Sequence, residues 1–358
     1  MRPAKKGAHG DGHKATGELP LSPRSWRGPS IQDIARASGV GTATVDRVLN
    51  GRGRVREATR ARVIEALTAL RAVAEGTLVR KRQIVVLSDS GQSFNRTLEQ
   101  AVRQVLDIRP DIECPFTSVA TAQVNPIALA QSIERIAEVA DGLVVVARED
   151  LTVNRALRNV ASRGLPIVCL TTDLPNSGRL AYVGNDQVAA GSTAAYLMGR
   201  AVEARPGKIL MVYSAPFRSQ EEREQGFRRI LRNQFPHLII DERVSSNDET
   251  EHSRRSVLRY LEEHGAPVGI YNIAGGNLGI GLALRDAGLD GRLVFIGHEL
   301  NANSQMLLEA GQMDFVIGHD VEREIALAIE AVLSALEGRT PPPVTLTKVR
   351  IFTKYNCE

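Results

Sequence analysis

From Ile84 to the C-terminus, short uninterrupted apolar runs alternate with stretches of helical periodicity. IVVLS is followed by FNRTLEQAVRQVL, GLVVVA by LTVNRALRNVASRG, KILMVY by QEEREQGFRRIL and VGIYNI by NLGIGLALRDAG. An apolar run without polar alternation is buried on both faces, and a helix between two runs returns the chain for a parallel neighbour. This part of the chain is therefore expected to form parallel sheets covered by helices on both sides. The runs are too many for one sheet, and two Rossmann-like lobes are the natural solution.

The first eighty residues have a different character. Residues 1–82 carry 17 Lys and Arg against 7 Asp and Glu, while the remainder carries 28 against 34. A basic front on a mildly acidic body points to a polyanion at one end. Residues 1–29 are polar, with Gly and Pro scattered through them, and read as a disordered arm. No secretory apolar segment follows Met1, and the three cysteines are far apart without a C-x-x-C, so a reducing cytoplasm is expected. The longest uncharged stretch, 265–284, contains Pro267 and six glycines, which rules it out as a membrane span.

Within the basic front, Ile31, Ile34 and Ala35 share one helix face, and Gly39 follows where a chain leaves a helix through a left-handed cap. Thr42 begins a second helix with Val45, Val48 and Leu49 on one face and Thr42, Ala43, Asp46 and Arg47 on the other; Asn50-Gly51 ends it. Val63, Ile64, Leu67 and Leu70 mark a third helix. Two short helices joined by a glycine turn and braced by a third make a helix-turn-helix, over residues 30–70. Helices this short gain little alone; their value is the face they display, which fits a DNA major groove.

IQDIARASGVGTATVDRVLNGRGRVREATRARVIEAL resembles the DNA-binding headpiece of the LacI/GalR family of bacterial regulators. Asp33, Ile34, Ala35, Gly39, Val40, Thr44, Val45, Arg47, Val48, Leu49, Asn50, Val55, Thr59 and Arg60 fit the family pattern. The resemblance implies that Thr42, Ala43 and Arg47 read base edges, and that Thr44, Asn50 and Thr59 position phosphates or the fold. Gly41 and Asp46 depart from the pattern, which has Ser, and Ser or Thr, there. Asp46 either accepts from cytosine N4 or pairs inside the headpiece with an arginine. The hinge, 71–83, lacks the family's Tyr, Pro and Asn; Leu78 is the candidate minor-groove wedge, with Arg80, Lys81 and Arg82 as a phosphate clamp.

The body, 84–356, resembles the periplasmic-binding-protein-like effector domain of the same family through YVGNDQVAAGSTAAYLM at 182–198 and REQGF at 223–227. The implied fold class is a small all-α helix-turn-helix domain followed by an α/β two-lobed domain with parallel sheets. The implied lobes are 84–184 with 319–341, and 185–318 with 342–356, the chain crossing near 184, 318 and 342. Ligands bind beyond the carboxyl ends of parallel strands. Polar residues at those ends include Asp89, Arg148, Thr171, Asp173, Arg223, Asn277, Glu299 and His319. Such groups suit a polyhydroxy ligand, and they also cap helices. The resemblance places Arg223, Asn277 and Glu299 on effector hydroxyls, with Phe94 or Asp89 closing the other lobe.

GGNLGIG at 275–281 is not in the G-x-G-x-x-G order, so it reads as a strand-to-helix turn and not as a dinucleotide site. No nucleophile sits beside His298-Glu299, and no catalytic set, metal cluster or cofactor motif is evident. The expectation is a cytoplasmic transcriptional regulator, a homodimer or a tetramer, that binds double-stranded operator DNA under the control of a sugar, polyol or sugar acid. The rivals are a solute-binding protein of a transporter and a sugar-metabolising enzyme.

Overall fold

In the computed structural model, the described residues are 29–50, 52, 55–74, 80–203 and 205–358. The chain divides after Arg80 into a small helical unit and a larger α/β unit.

The helical unit contains α1 (Ile31–Ser38), α2 (Thr42–Leu49) and α3 (Glu57–Ala74). Ser30 and Asp33 form a reciprocal capping box at the start of α1. The Ser30 hydroxyl and backbone amide donate to the Asp33 carboxylate and hold its pKa below the ordinary range. Gly39, at φ +65°, closes the helix in the left-handed conformation expected of it. Ile34, Val45, Val48, Val63 and Ala66 form the buried core, with Ala35, Val40, Val55, Leu67 and Leu70 packed around it. Three residues assigned to the apolar faces lie largely outside this core: Ile31 is 40% exposed, Leu49 38% and Ile64 47%. A three-helix cluster this small has room for only one narrow seam per helix. Helix α3 runs past residue 70 into the expected hinge, while Leu78 lies outside the described residues.

The first lobe of the α/β unit is laid down by β1 (Arg82–Ser90), α4 (Gln92–Ile108), β2 (Ile112–Glu113), β3 (Phe116–Ala120), α5 (Pro126–Ile136), β4 (Gly142–Val146), α6 (Leu151–Ser162), β5 (Ile167–Leu170) and β6 (Ala181–Asn185). The second follows as α7 (Gln187–Val202), β7 (Gly207–Tyr213), α8 (Arg218–Gln234), β8 (Leu238–Ser245), α9 (Thr250–His264), β9 (Gly269–Asn272), α10 (Asn277–Asp286), β10 (Val294–His298), α11 (Ala302–Glu309) and β11 (Phe315–Gly318). The chain then returns through α12 (Val321–Leu336), β12 (Val344–Thr347) and β13 (Arg350–Phe352).

One sheet runs β12-β6-β5-β4-β1-β2, with β3 also on β1; the other runs β13-β11-β10-β9-β7-β8. All pairings are parallel except β13 on β11. Each sheet has a core on both faces, as the unbroken apolar runs require. In the first, Val86, Val144 and Val168 meet α4 and α12 on one face, while Leu87, Val145 and Cys169 meet α5 and α6 on the other.

The chain leaves the first sheet between Asn185 and Gln187 and the second between Gly318 and Val321. The third crossing is a correction. It falls between Thr347 and Arg350 rather than near 342, because β12 first pairs with edge strand β6, Val344 opposite Tyr182. Residues 344–347 therefore belong to the first lobe. The alternation in VTLT suits an edge strand with one exposed face.

Candidate functional site

On the headpiece, Thr42, Ala43 and Arg47 lie on the exposed face of α2, while Thr44, Asp46 and Thr59 are half-buried and Asn50 is exposed. Gly41 supplies no side-chain cap to α2. The Arg47 Nε donates to the Ala43 carbonyl at 3.2 Å, which lays the side chain back along the helix. Asp46 accepts at 2.8 Å from the Asn50 amide, one turn on. An internal pairing with arginine was one of the two sequence alternatives; the pairing observed is with Asn50.

In the larger unit, a cleft of about 440 Å³ opens between the lobes at the carboxyl ends of the strands. The first lobe contributes the end of β1, the first turns of α4, Val146, Thr171 and Thr172; the second contributes the start of α8, the loop at Asp248, the Gly275-Gly276 turn and the end of β10. Of the nine expected ligand residues, Phe94, Thr171, Arg223, Asn277 and Glu299 line this cleft.

Arg223 is 3% exposed and heavily bonded. Its Nε donates to Gln187 Oε1 at 2.7 Å, its Nη1 to the Ile273 carbonyl at 3.0 Å, and its Nη2 lies 3.7 Å from Glu299. Glu299 has φ +70°, and burial raises its carboxyl pKa against the lowering effect of Arg223. Asn277 donates to the His298 carbonyl at 3.0 Å and accepts from Asn272 at 2.7 Å, so its amide fastens the ends of β9 and β10 together. The His298 imidazole, bonded to the Tyr271 hydroxyl at 2.8 Å, is held neutral by burial, its pKa well below the usual value.

The other four expected residues do not line the cleft. Asp89 is fully buried and takes both arms of the Arg148 guanidinium, at 2.6 and 2.7 Å. Arg148 also donates to the Thr121 carbonyl and stacks 5.8 Å from the Phe217 ring, so the pair supports a wall residue. Asp173 is bonded by Arg179, which reaches on to the Pro343 carbonyl. His319 Nδ1 lies 2.8 Å from Glu324. Burial pulls the His319 pKa down, but the charges of Glu324 and Glu299 outweigh that and leave it raised.

Sequence reasoning missed Asp248. It sits at φ +57° in the loop after β8, accepts at 2.7 Å from Thr121 of the first lobe and at 2.7 Å from the Gly275 amide of the second. Gly91 faces it so closely that a Cβ there would lie 2.6 Å from the Asp248 Cβ. The polar run SSND after an apolar strand was the available signal. Gln187 and Phe217 were missed too, since neither ends a strand. Ser219 donates from its amide to Thr172 Oγ1 at 3.2 Å, another bond between the lobes.

Among the described residues no group of His, Cys, Asp and Glu has the arrangement of a metal site, and no helix is long and apolar enough to cross a membrane. The three cysteines are buried free thiols.

Residues 84–340 match the model of the periplasmic binding protein domain, and residues 30–71 match that of bacterial regulatory proteins of the lacI family. The chain belongs to the LacI/GalR family of DNA-binding regulators. Both matched families are non-enzymatic. No curated protein matches this LacI/GalR regulator by sequence. Among solved structures, the glucose-galactose binding protein GanP of Geobacillus stearothermophilus is similar at 17% identity and a TM-score of 0.70, over 77% of this chain and 99% of that one. A transporter solute-binding protein of Burkholderia graminis, in complex with D-arabinose, is similar at 19% identity and 0.71, over 78% and 97%. A protein of Bacteroides fragilis described as a LacI transcriptional regulator is similar at 16% identity and 0.68, over 77% and 98%. At these identities the likeness is one of fold.

Proposed function

We propose that this regulator binds a small polyhydroxy effector in the interlobe cleft and that occupancy changes its affinity for operator DNA. The observation that carries this is the cleft itself. Its walls come from both lobes, and they combine hydroxyl, amide, carboxyl and guanidinium groups with the rings of Phe94 and Phe217. Polar groups of both senses serve sugar hydroxyls, and the rings offer apolar faces for sugar C–H groups. Similar folds hold glucose or galactose and D-arabinose, which fits a monosaccharide or polyol. In the cytoplasm, two copies related by a two-fold would place two α2 helices on a pseudo-palindromic site, with Arg47 and Thr42 toward the bases.

A ligand that favours one interlobe geometry shifts the equilibrium by its differential affinity for the two states, and that difference is the coupling to DNA. A transporter solute-binding protein would share the cleft, but the helix-turn-helix at 30–71 sets the two apart. The experiment has two arms. A gel shift with the gene's own upstream DNA should show a retarded complex, and a thermal-shift screen of sugars, polyols and sugar acids should raise the unfolding midpoint for the effector. That compound should then alter the gel shift. No retardation with any upstream fragment would favour the solute-binding reading.

A further inference from the structure

Gln187 opens α7, two residues after Asn185 ends β6, and therefore stands at the first crossing between the lobes. It is 2% exposed. Its Nε2 donates to the Thr171 carbonyl at 2.8 Å and to Asn185 Oδ1 at 2.7 Å, while its Oε1 accepts from Arg223 Nε at 2.7 Å. Thr171 and Asn185 belong to the first lobe and Arg223 to the second. One carboxamide therefore holds a wall residue of each.

Thr171 carries a second sign of function. Its φ of +61° lies in the left-handed region, which a β-branched residue rarely enters. Its carbonyl is pinned there by two donors, Gln187 and the Tyr182 hydroxyl at 3.1 Å. The twisted residue lines the cleft, and its buried Oγ1 has no hydrogen-bond partner. Strain that persists at a site is held by its surroundings, and a buried hydroxyl without a partner is unfavourable until something bonds it. A ligand hydroxyl in the cleft would do so.

We infer that Gln187 is the positioning residue through which this cleft reads its ligand in both lobes at once. It fixes the Thr171 backbone, and with it the direction of the hydroxyl, on one wall and the Arg223 guanidinium on the other, and it does so at the first crossing between the lobes. The inference rests on the cleft being the effector site. The chemistry explains why the residue is glutamine. The position needs two donors for oxygens of the first lobe and an acceptor for the guanidinium of the second. Glutamate has no donor and would face two oxygens with a charge; asparagine is one methylene short; leucine offers neither function.

Two readouts on the full chain test this. The first needs no ligand: hydrogen–deuterium exchange over 167–173 and over 219–226 in wild type and Gln187→Leu. Both segments should exchange about tenfold faster in the variant while the strands of both cores keep their protection. Acceleration of one segment alone, or of neither, overturns the inference. Gln187→Glu, of nearly the same volume, gives the same comparison should the leucine variant not fold. The second readout is calorimetric titration with D-galactose, D-arabinose, D-allose and D-tagatose. Any sugar that wild type binds should bind Gln187→Glu about ten- to a hundredfold more weakly, as expected for losing hydrogen bonds that orient a charged group. Equal affinity in a folded variant removes Gln187 from ligand reading and leaves the cleft assignment standing. Failure of the wild type to bind any of them counts against the cleft assignment and takes the role of Gln187 with it.

Discussion

Gly191 of α7 and Gly226 of α8 each face the other helix's backbone. A Cβ on Gly191 would overlap the Arg223 carbonyl oxygen, and one on Gly226 would overlap the Val188 carbonyl oxygen. The two helices therefore cross almost backbone to backbone, which brings Arg223 within reach of Gln187. The glycines of A-G-S and R-E-Q-G-F are thus a packing pair that builds the cleft wall.

That pair gives the first prediction. Replacing a helix glycine by alanine gains about 1 kcal/mol of helix propensity. Here the added methyl meets backbone that cannot move aside, and overpacking costs about 1–3 kcal/mol, sometimes more. The clash should win, so Gly226→Ala and Gly191→Ala should each lower stability and weaken effector binding. Urea unfolding of the full chain measures it; a variant more stable than wild type would show that the helices are not held at this distance.

Arg223 is the group on which the second wall is organised. Arg223→Met keeps much of the side chain's bulk but leaves Gln187 Oε1, the Ile273 carbonyl and Glu299 without their cation. The expected variant binds operator DNA as wild type does and no longer responds to the effector. A gel shift titrated with the effector decides it; an unchanged response would place the ligand away from Arg223.

Asp46 is paired with Asn50 at an exposed i,i+4 spacing. Such pairs stabilise a helix by only about 0.2–0.5 kcal/mol, so Asp46→Ser should barely change headpiece stability. If the carboxylate reads a base, the substitution should relax discrimination at one position of each half-site and raise non-specific affinity, because a charge that repels phosphate is gone. Selection of sites from random DNA, run on both proteins, measures this. Identical preferred sites would assign Asp46 to the helix alone.

The buried His319–Glu324 pair predicts a pH dependence. Its carboxylate also accepts from Thr347 Oγ1, so it ties the second crossing to the end of β12. Burial opposes the charged imidazole, the carboxylates of Glu324 and Glu299 favour it, Arg223 disfavours it, and the net pKa lies above the ordinary 6.5. A His pKa raised in the folded state contributes stability that is complete below the unfolded value and is lost as pH rises through the folded one. The unfolding midpoint of wild type should therefore fall relative to His319→Gln as pH increases above about 6.5. A difference between the two proteins that is constant from about pH 6 to about pH 9 would mean the imidazole is not protonated in the fold.

The sequence by itself determined the architecture. Unbroken apolar runs such as GLVVVA are satisfied by burial on both faces, and Gly39 ends the first helix in the left-handed conformation that a glycine readily adopts. Both are local requirements that the residues carry with them. Among the polar residues it put at strand ends, Arg223, Thr171, Asn277 and Glu299 line the cleft, because strand ends are set by the same periodicity; Phe94, which lines it too, was implied only by the family resemblance. The tertiary structure decided which polar groups remain available. Asp89, Arg148, Asp173 and His319 stand at the same kind of position, yet each meets a partner from a distant part of the chain or across a turn, and nothing in local sequence distinguishes a carboxylate that will be neutralised from one that will not. Tertiary structure alone also joined Gln187 to Arg223 and Asp248 to Thr121, contacts between segments 36 and 127 residues apart. A side chain's chemistry is fixed by its sequence, but its bonding depends on what the fold brings within about 3 Å of it.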